Sequence, residues 1–230
     1  PRKNIRSFAG APLIAWSIAA AQQSNTVTRV IVSTDDEEIA AVARQYGAET
    51  PFLRPAEFAQ DQTTDLPVFE HALDWLAAHE QYQPNVVVQL RPTSPVRPVG
   101  LVDDAVQLLL SRAGADSVRG VVPAGQNPHK MWTLYDNSLC PIILRDMTYE
   151  AFGVPSHSAP SQITNHYYIQ NASLEISWTR NVTERGSISG DVIKPFFTDG
   201  YEGFDLNTED DFILAEALIE GGLATLPEVK

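Results

Sequence analysis

Apolar and polar positions recur with two different periods along this chain, and the changes of period mark its elements. Residues 12–24, PLIAWSIAAAQQS, are apolar at almost every position and rich in alanine, which predicts a helix. A continuous β-branched run, RVIVST (29–34), follows, as expected of a strand covered on both faces. DDEEIAAVARQYG (35–47) predicts a second helix; Asp35 and Glu38 have the capping-box spacing, and Gly47 marks the end. ETPFL (49–53) predicts a short edge strand, because it contains a proline. In 65–82, Leu66, Phe69, Leu73 and Leu76 share one helical face. A strand at 86–90, a helix over about 99–112 and a strand at 116–124 come next.

After residue 124 the texture changes. Residues 127–144 predict an irregular hairpin, and 147–165 a long loop. Strands are expected at 166–178 and 191–197, and a closing helix at 208–222. Strands alternating with helices predict an α/β fold: three layers around a mostly parallel mixed sheet. The expectation is one domain over 1–230, with a loop-rich insert at roughly 125–185 of the kind used for a lid or a partner subunit.

Composition narrows the function. The chain has 230 residues, 43% hydrophobic and 20% charged, and no apolar run nears the roughly 18–20 residues that cross a bilayer. Cys140 is the only cysteine, so neither an intrachain disulfide nor a zinc cluster is expected, and a cytoplasmic setting is the simple reading. A formal net charge of −13 argues against sequence-independent binding of nucleic acid. Any anionic ligand must then be caught by local donors or by a metal ion. The start, PRKNIR without a methionine, packs Arg2, Lys3 and Arg6 around Asn4; a segment upstream of Pro1 is expected.

Ligands of open α/β sheets bind at the carboxyl ends of the strands. Three segments lie there, STDD (33–36), RPTSPVR (91–97) and VPAGQNPHK (122–130), and FDLNTEDD (204–211) leads into the last helix. In RPTSPVR the prolines stiffen a crossing that carries hydroxyls and two arginines. Asp205 and Asn207 share a face if extended, and oxygen donors at that spacing suit Mg²⁺. The competing reading makes Asn207 a helix cap with Asp210 three residues on. Among the histidines, His71 and His79 fall on a helix as structural residues, and His129 beside Lys130 is the one to test for a site role.

Five blocks in order, PRKNIRSFAGAPLIAWSIAAA, VIVSTDDEEIAAVARQYGAE, LRPAEFAQDQTTD, LRPTSPVR and FDLNTED, resemble the acylneuraminate cytidylyltransferases, the CMP-sialic acid synthetases. The resemblance implies a Rossmann-like nucleotide-diphospho-sugar transferase fold and a homodimer in which the mid-chain insert reaches its neighbour. It also implies Mg²⁺-assisted transfer of CMP from CTP to a sugar acid. By position it places Lys3, Asn4 and Arg54 at the nucleotide, and Thr93 and Ser94 at the nucleotide and sugar. It places Asn171 at the sugar acid and Asp205 at the metal, with Lys3, Arg54 and Asp205 as the catalytic set. Asp35 lies in the matching STD block, but its capping role explains it equally well.

The departures from the family pattern concern the sugar. Arg91 replaces a glutamine, Glu175 stands where a substrate-facing tyrosine can occur, and Asn207 replaces a second metal-associated aspartate. No arginine lies between Arg145 and Arg180, although the family can use one there for the sugar carboxylate. Arg91 could take over that carboxylate with its two-pronged guanidinium; its rival role is to cap the following loop. Glu175 facing the sugar would prefer an amine or extra hydroxyls. The family's glycine-bearing basic loop, R-x-x-S-K-G, would precede Pro1. Two other functions compete: nucleotidyl transfer to a different sugar or sugar phosphate, and noncatalytic nucleotide binding.

Overall fold

The computed structural model describes residues 2–143, 153–160, 162 and 166–229, so much of the loop expected over 147–165 lies outside the described residues. In chain order the strands are β1 (Ser7–Phe8), β2 (Ala11–Pro12), β3 (Val86–Gln89), β4 (Ser117–Pro123), β5 (Trp132–Tyr135), β6 (Ser138–Pro141), β7 (Tyr168–Trp178) and β8 (Ile193–Phe197). The helices are α1 (Leu13–Gln22), α2 (Glu37–Gln45), α3 (Asp65–Glu80), α4 (Leu101–Ser111), α5 (Thr179–Arg185) and α6 (Glu209–Glu220). They form two compact units, Pro1–Gly120 with Asn171–Lys230, and Val121–Gln170. The second unit stops short of the 185 expected for the insert, because residues 171–178 complete a strand of the first unit's sheet.

In the first unit, the chain turns tightly between β1 and β2 through Ala9 and Gly10, both at positive φ. It then enters α1, where nine consecutive residues, Leu13–Ala21, are buried. A helix apolar on all sides belongs in the core, and its alanines let neighbours approach from two directions. Leu13 and Trp16 pack with Phe8, Leu206, Phe212 and Ala215, while Ile14 and Ile18 pack with Ala43, Ala48, Val30 and Val32.

The four-stranded sheet has the order β3-β7-β4-β8, and β7 runs antiparallel to β3, with Val86 opposite Trp178 and Gln89 opposite Glu175. Val118, Leu174 and Ile176 pack against Leu101, Val102, Ala105, Val106 and Leu109 of α4. Strand alternation turns Ser173, Glu175 and Ser177 to the opposite face. Pro195 sits in the edge strand β8, where a missing donor is tolerated.

Several local expectations shift by a residue or a rung. The strand at 29–34 reduces to one parallel bridge, Ile31 with Glu49, closed by Glu49 N–H to Val30 O (2.8 Å) and Val32 N–H to Glu49 O (2.9 Å). The next rung would need an N–H from Pro51, which has none. The cap of α2 is Asp36, not Asp35; it accepts from the backbone of Glu38 (2.8 Å) and Ile39 (3.2 Å). The cap of α6 is Thr208 in a reciprocal box with Asp211, rather than Asn207 with Asp210, because that pairing satisfies two terminal N–H groups. Helix α5 was not expected; it follows β7 without a turn and ends at Gly186 (φ 59°).

In the second unit, the irregular hairpin expected over 127–144 is regular in its core. Trp132 lies opposite Pro141, and the strands join through Asp136 and Asn137, both at positive φ, as a two-residue turn demands. His129 is buried with its Nε2 on the Tyr167 hydroxyl. Lys130 donates to the carbonyls of His157 and Ala159, both at 2.7 Å. Among the described residues no helix is long and apolar enough to cross a membrane.

Candidate functional site

The Arg91–Arg97 crossing folds inward. Ser94, Pro95, Val96 and Arg97 are all buried, and Arg97 is 0% exposed. Its guanidinium reaches Ser173 O (2.5 Å), Ser17 Oγ (3.0 Å), Arg91 O (2.8 Å) and Ala172 O (3.3 Å). Burial pulls its pKa down from the usual arginine value to about 9, while the Asp205 carboxylate pulls it up. Below that value it remains a cation.

The crossing is joined to the segment before α6. Thr93 O accepts the Leu206 N–H at 2.7 Å, and Ser94 Oγ donates to Asp205 Oδ1 at 3.5 Å. Asn207 turns its amide nitrogen to Asp205 Oδ2 at 2.8 Å, and its backbone N–H goes to Asp211. Asp211 is held below the usual carboxylate range by the backbone N–H groups of Thr208 and Asn207, with a smaller contribution from the charge of Lys3.

Lys3 stands on a 3-10 turn, Lys3–Ile5, beside a cleft of ≈ 580 Å³. Arg2, Arg6, Asn207, Thr208 and Phe212 share its wall. Arg2 pairs with Glu38 (2.8 Å), and Arg6 pairs with Glu209 while lying 4.1 Å over the Phe212 ring. Lys3 has no ion-pair partner among the described residues, so of the three basic groups its charge is the one available to a ligand.

The structure thus brings Lys3, Thr93, Ser94, Asp205 and Asn207 to one end of the first unit, with Asn4 on the same turn as Lys3. Other expected residues have different partners. Arg54 lies by Asp35 (3.5 Å), after its N–H has bonded Thr34 O. Asn171 bonds Thr198 Oγ1 (2.9 Å) and the Ser173 N–H (3.1 Å), in a slot where Gly120 and Gly203 leave room for it. The Arg91 side chain does not stand free but pairs with Asp65 at the start of α3, while its carbonyl accepts from Ser94 and Arg97 of its own loop. Glu175 is engaged by Arg119 and by Ser189 Oγ (2.8 Å). His71 packs edge-on against Phe52, and His79 stacks on Trp75. His129 is held by Tyr167 within the second unit.

Sequence reading passed over Arg97, Asp65 and the Arg6–Glu209 pair. A second arginine in one seven-residue crossing was the visible signal for the first. The other two rest on long-range contacts with no local signature.

Comparison with known proteins adds three findings. The family model described as cytidylyltransferase matches residues 1–149. The chain is 32% identical over 225 residues to the CMP-N,N'-diacetyllegionaminic acid synthase of Legionella pneumophila, covering 96% of this chain and 90% of that protein. It is 31% identical to the protein of the same description in Campylobacter jejuni, covering 94% and 88%. Among solved structures, CMP:2-keto-3-deoxy-manno-octonic acid synthetase complexed with CTP superposes with a TM-score of 0.64 at 12% identity, over 96% of this chain and 92% of that one. A likeness at that identity speaks to the fold, which is the Rossmann-like nucleotidyltransferase architecture.

Proposed function

The chain belongs to the cytidylyltransferase family, and from that premise we propose that it transfers CMP from CTP to a hydroxyl of a nonulosonic, sialic-acid-like sugar acid. The observation that carries this reading is the meeting of residues 2–6, 91–97 and 204–209 around Asp205–Thr208. Three segments far apart in the chain bring a cation, hydroxyls and a carboxylate to one place. In the reaction the sugar oxygen bonds to the α-phosphorus of CTP, the bond to pyrophosphate breaks, and the hydroxyl proton is lost. Catalysis of such a step is mostly positioning and charge stabilisation.

Lys3 and Arg54 supply fixed positive charge to the triphosphate, and Asn4 and Thr93 offer polar groups to the nucleotide. Ser94 acts through Asp205, since it is wholly buried and its hydroxyl already meets that carboxylate. Arg91, 47% exposed in its side chain, would exchange Asp65 for the acceptor's carboxylate. Asn171 is placed to shape the sugar end.

Asp205 and Asn207 are the residues that would hold Mg²⁺. Their donors fit a hard cation: one carboxylate, and an amide whose half-turn exchanges nitrogen for oxygen beside it. Among the described residues no group of three or more His, Cys, Asp or Glu could by itself hold a metal ion. Mg²⁺ usually takes one or two carboxylates and fills its other positions with phosphate and water. When bound, the ion would offset charge on the phosphate oxygens.

A homodimer belongs to the same reading. In the second unit, all four residues of β5 are exposed, and the facing pair Leu134 and Leu139 is an exposed apolar surface of the kind a second copy covers. The single thiol, Cys140, accords with a cytoplasmic protein.

The test is pyrophosphate release by the full-length protein with Mg²⁺, comparing CTP with ATP, GTP and UTP against a panel of nonulosonic acids and neutral sugars. Release is expected only with CTP and an acidic acceptor. Turnover confined to neutral sugars or sugar phosphates would overturn the acceptor assignment. CTP binding without any turnover would leave a noncatalytic protein.

A further inference from the structure

A wholly buried arginine bonded only by neutral groups is unusual, because a desolvated cation is costly unless something offsets its charge. Arg97 is such a residue. Its four hydrogen bonds go to three carbonyls and one hydroxyl, on α1, on β7 and at the start of its own crossing. Among the described residues no carboxylate bonds it; Asp205 acts on it through space. The bond to Arg91 O closes residues 91–97 into a ring, which Ser17 reinforces by donating to the same carbonyl at 3.2 Å. That ring presents Thr93 O to Leu206 and Ser94 Oγ to Asp205. The same guanidinium holds β7 through the carbonyls of Ala172 and Ser173, the two residues after Asn171.

We propose that Arg97 is a positioning residue of the transfer site: one buried guanidinium fixes the hydroxyl crossing, the Asn171 end of β7 and α1 in a single geometry, and sets its charge behind Asp205 where phosphate anions gather. This inference rests on the transfer reading above. It explains why the crossing needs a cation where uncharged donors could tie a loop. Negative charge arriving at the rim offsets the cost of burying it, so the ring is best satisfied with triphosphate present. A lysine keeps the charge but, as a single ammonium, cannot span four acceptors on three elements.

The test uses Arg97→Lys and Ser17→Ala in the full chain, with steady-state kinetics and site-resolved hydrogen exchange. Arg97→Lys is expected to lower kcat about a hundredfold while the KM for CTP moves less than about threefold, since misplacement of reacting groups falls on turnover. Ser17→Ala, which keeps the charge but loses the bonds to Arg97 and to Arg91 O, should lower kcat about threefold. Exchange at the Leu206 amide should quicken about tenfold in Arg97→Lys, with that of α4 unchanged. A kcat within about twofold of the parent, or exchange that quickens equally throughout the chain, overturns the proposal. If the parent itself releases no pyrophosphate, the transfer reading fails separately. Exchange then decides the geometry: local loosening supports the positioning role, and none overturns it.

Discussion

Two short proline-bearing segments, the Arg91–Arg97 crossing and the Trp132–Pro141 hairpin, dispose of their side chains in opposite ways. The crossing turns Ser94, Pro95, Val96 and Arg97 into the first unit and satisfies a buried charge with carbonyls and a hydroxyl. The hairpin of the second unit has good backbone pairing and a well-formed turn, yet leaves Leu134 67% and Leu139 65% exposed. A two-stranded ribbon is marginal by itself in water, so apolar groups displayed on one call for a covering surface. Polar groups locked inside a loop have their geometry set before any ligand arrives, which is what electrostatic catalysis requires. One segment is satisfied within the chain; the other, on the reading proposed above, would be covered by a second copy.

The largest effect should come from the closed side of that contrast. Asp205→Ala is expected to lower kcat about 10²–10³-fold in the pyrophosphate assay, with folding intact by circular dichroism. If turnover survives, the crossing's partner is structural. On the open side, Leu134→Asp with Leu139→Asp should weaken self-association by about 2 kcal/mol, roughly thirtyfold in Kd, as read by sedimentation or light scattering. Unchanged mass at every concentration would show that the ribbon is not the dimer surface.

Smaller effects refine the picture. Arg91→Gln should raise the KM for the acidic acceptor about tenfold and leave that for CTP alone, because the arginine lies at the rim of the crossing rather than inside it. Equal change for both substrates would contradict the carboxylate role. Asp103, in the first turn of α4, repeats the crossing's device on a modest scale. Burial would raise its carboxyl, but N–H and hydroxyl donors from Asn25, Ser24 and Thr26 outweigh that and hold it below the usual range. Its stabilisation is therefore fully present above about pH 4 and is lost as pH falls toward its native value. Asp103→Asn should cost about 1 kcal/mol at neutral pH, and its melting curve should converge with the parent's on the acid side. A constant gap at every pH would remove the linkage.

The extent of sequence legibility follows the range of the interactions. Elements with a strong local period, such as α1, α4 and β7, lie within a residue or two of their expected bounds. The strand at 29–34 did not, since its ladder depends on a distant segment whose third residue is a proline. At the site, Lys3 and Asp205 could be named from motif position. That Arg91 is held by Asp65, and Glu175 by Arg119, depends on pairs 26 and 56 residues apart.

By itself the sequence determined the long, strongly periodic helices and strands, such as α1, α4 and β7, because propensity, capping and alternation act within a few residues. Only the tertiary structure decided which charged and polar groups are free and which are already engaged. Ion pairing and burial couple residues far apart in the chain, and a pair such as Glu175 with Arg119 is set by where the fold brings the two side chains together.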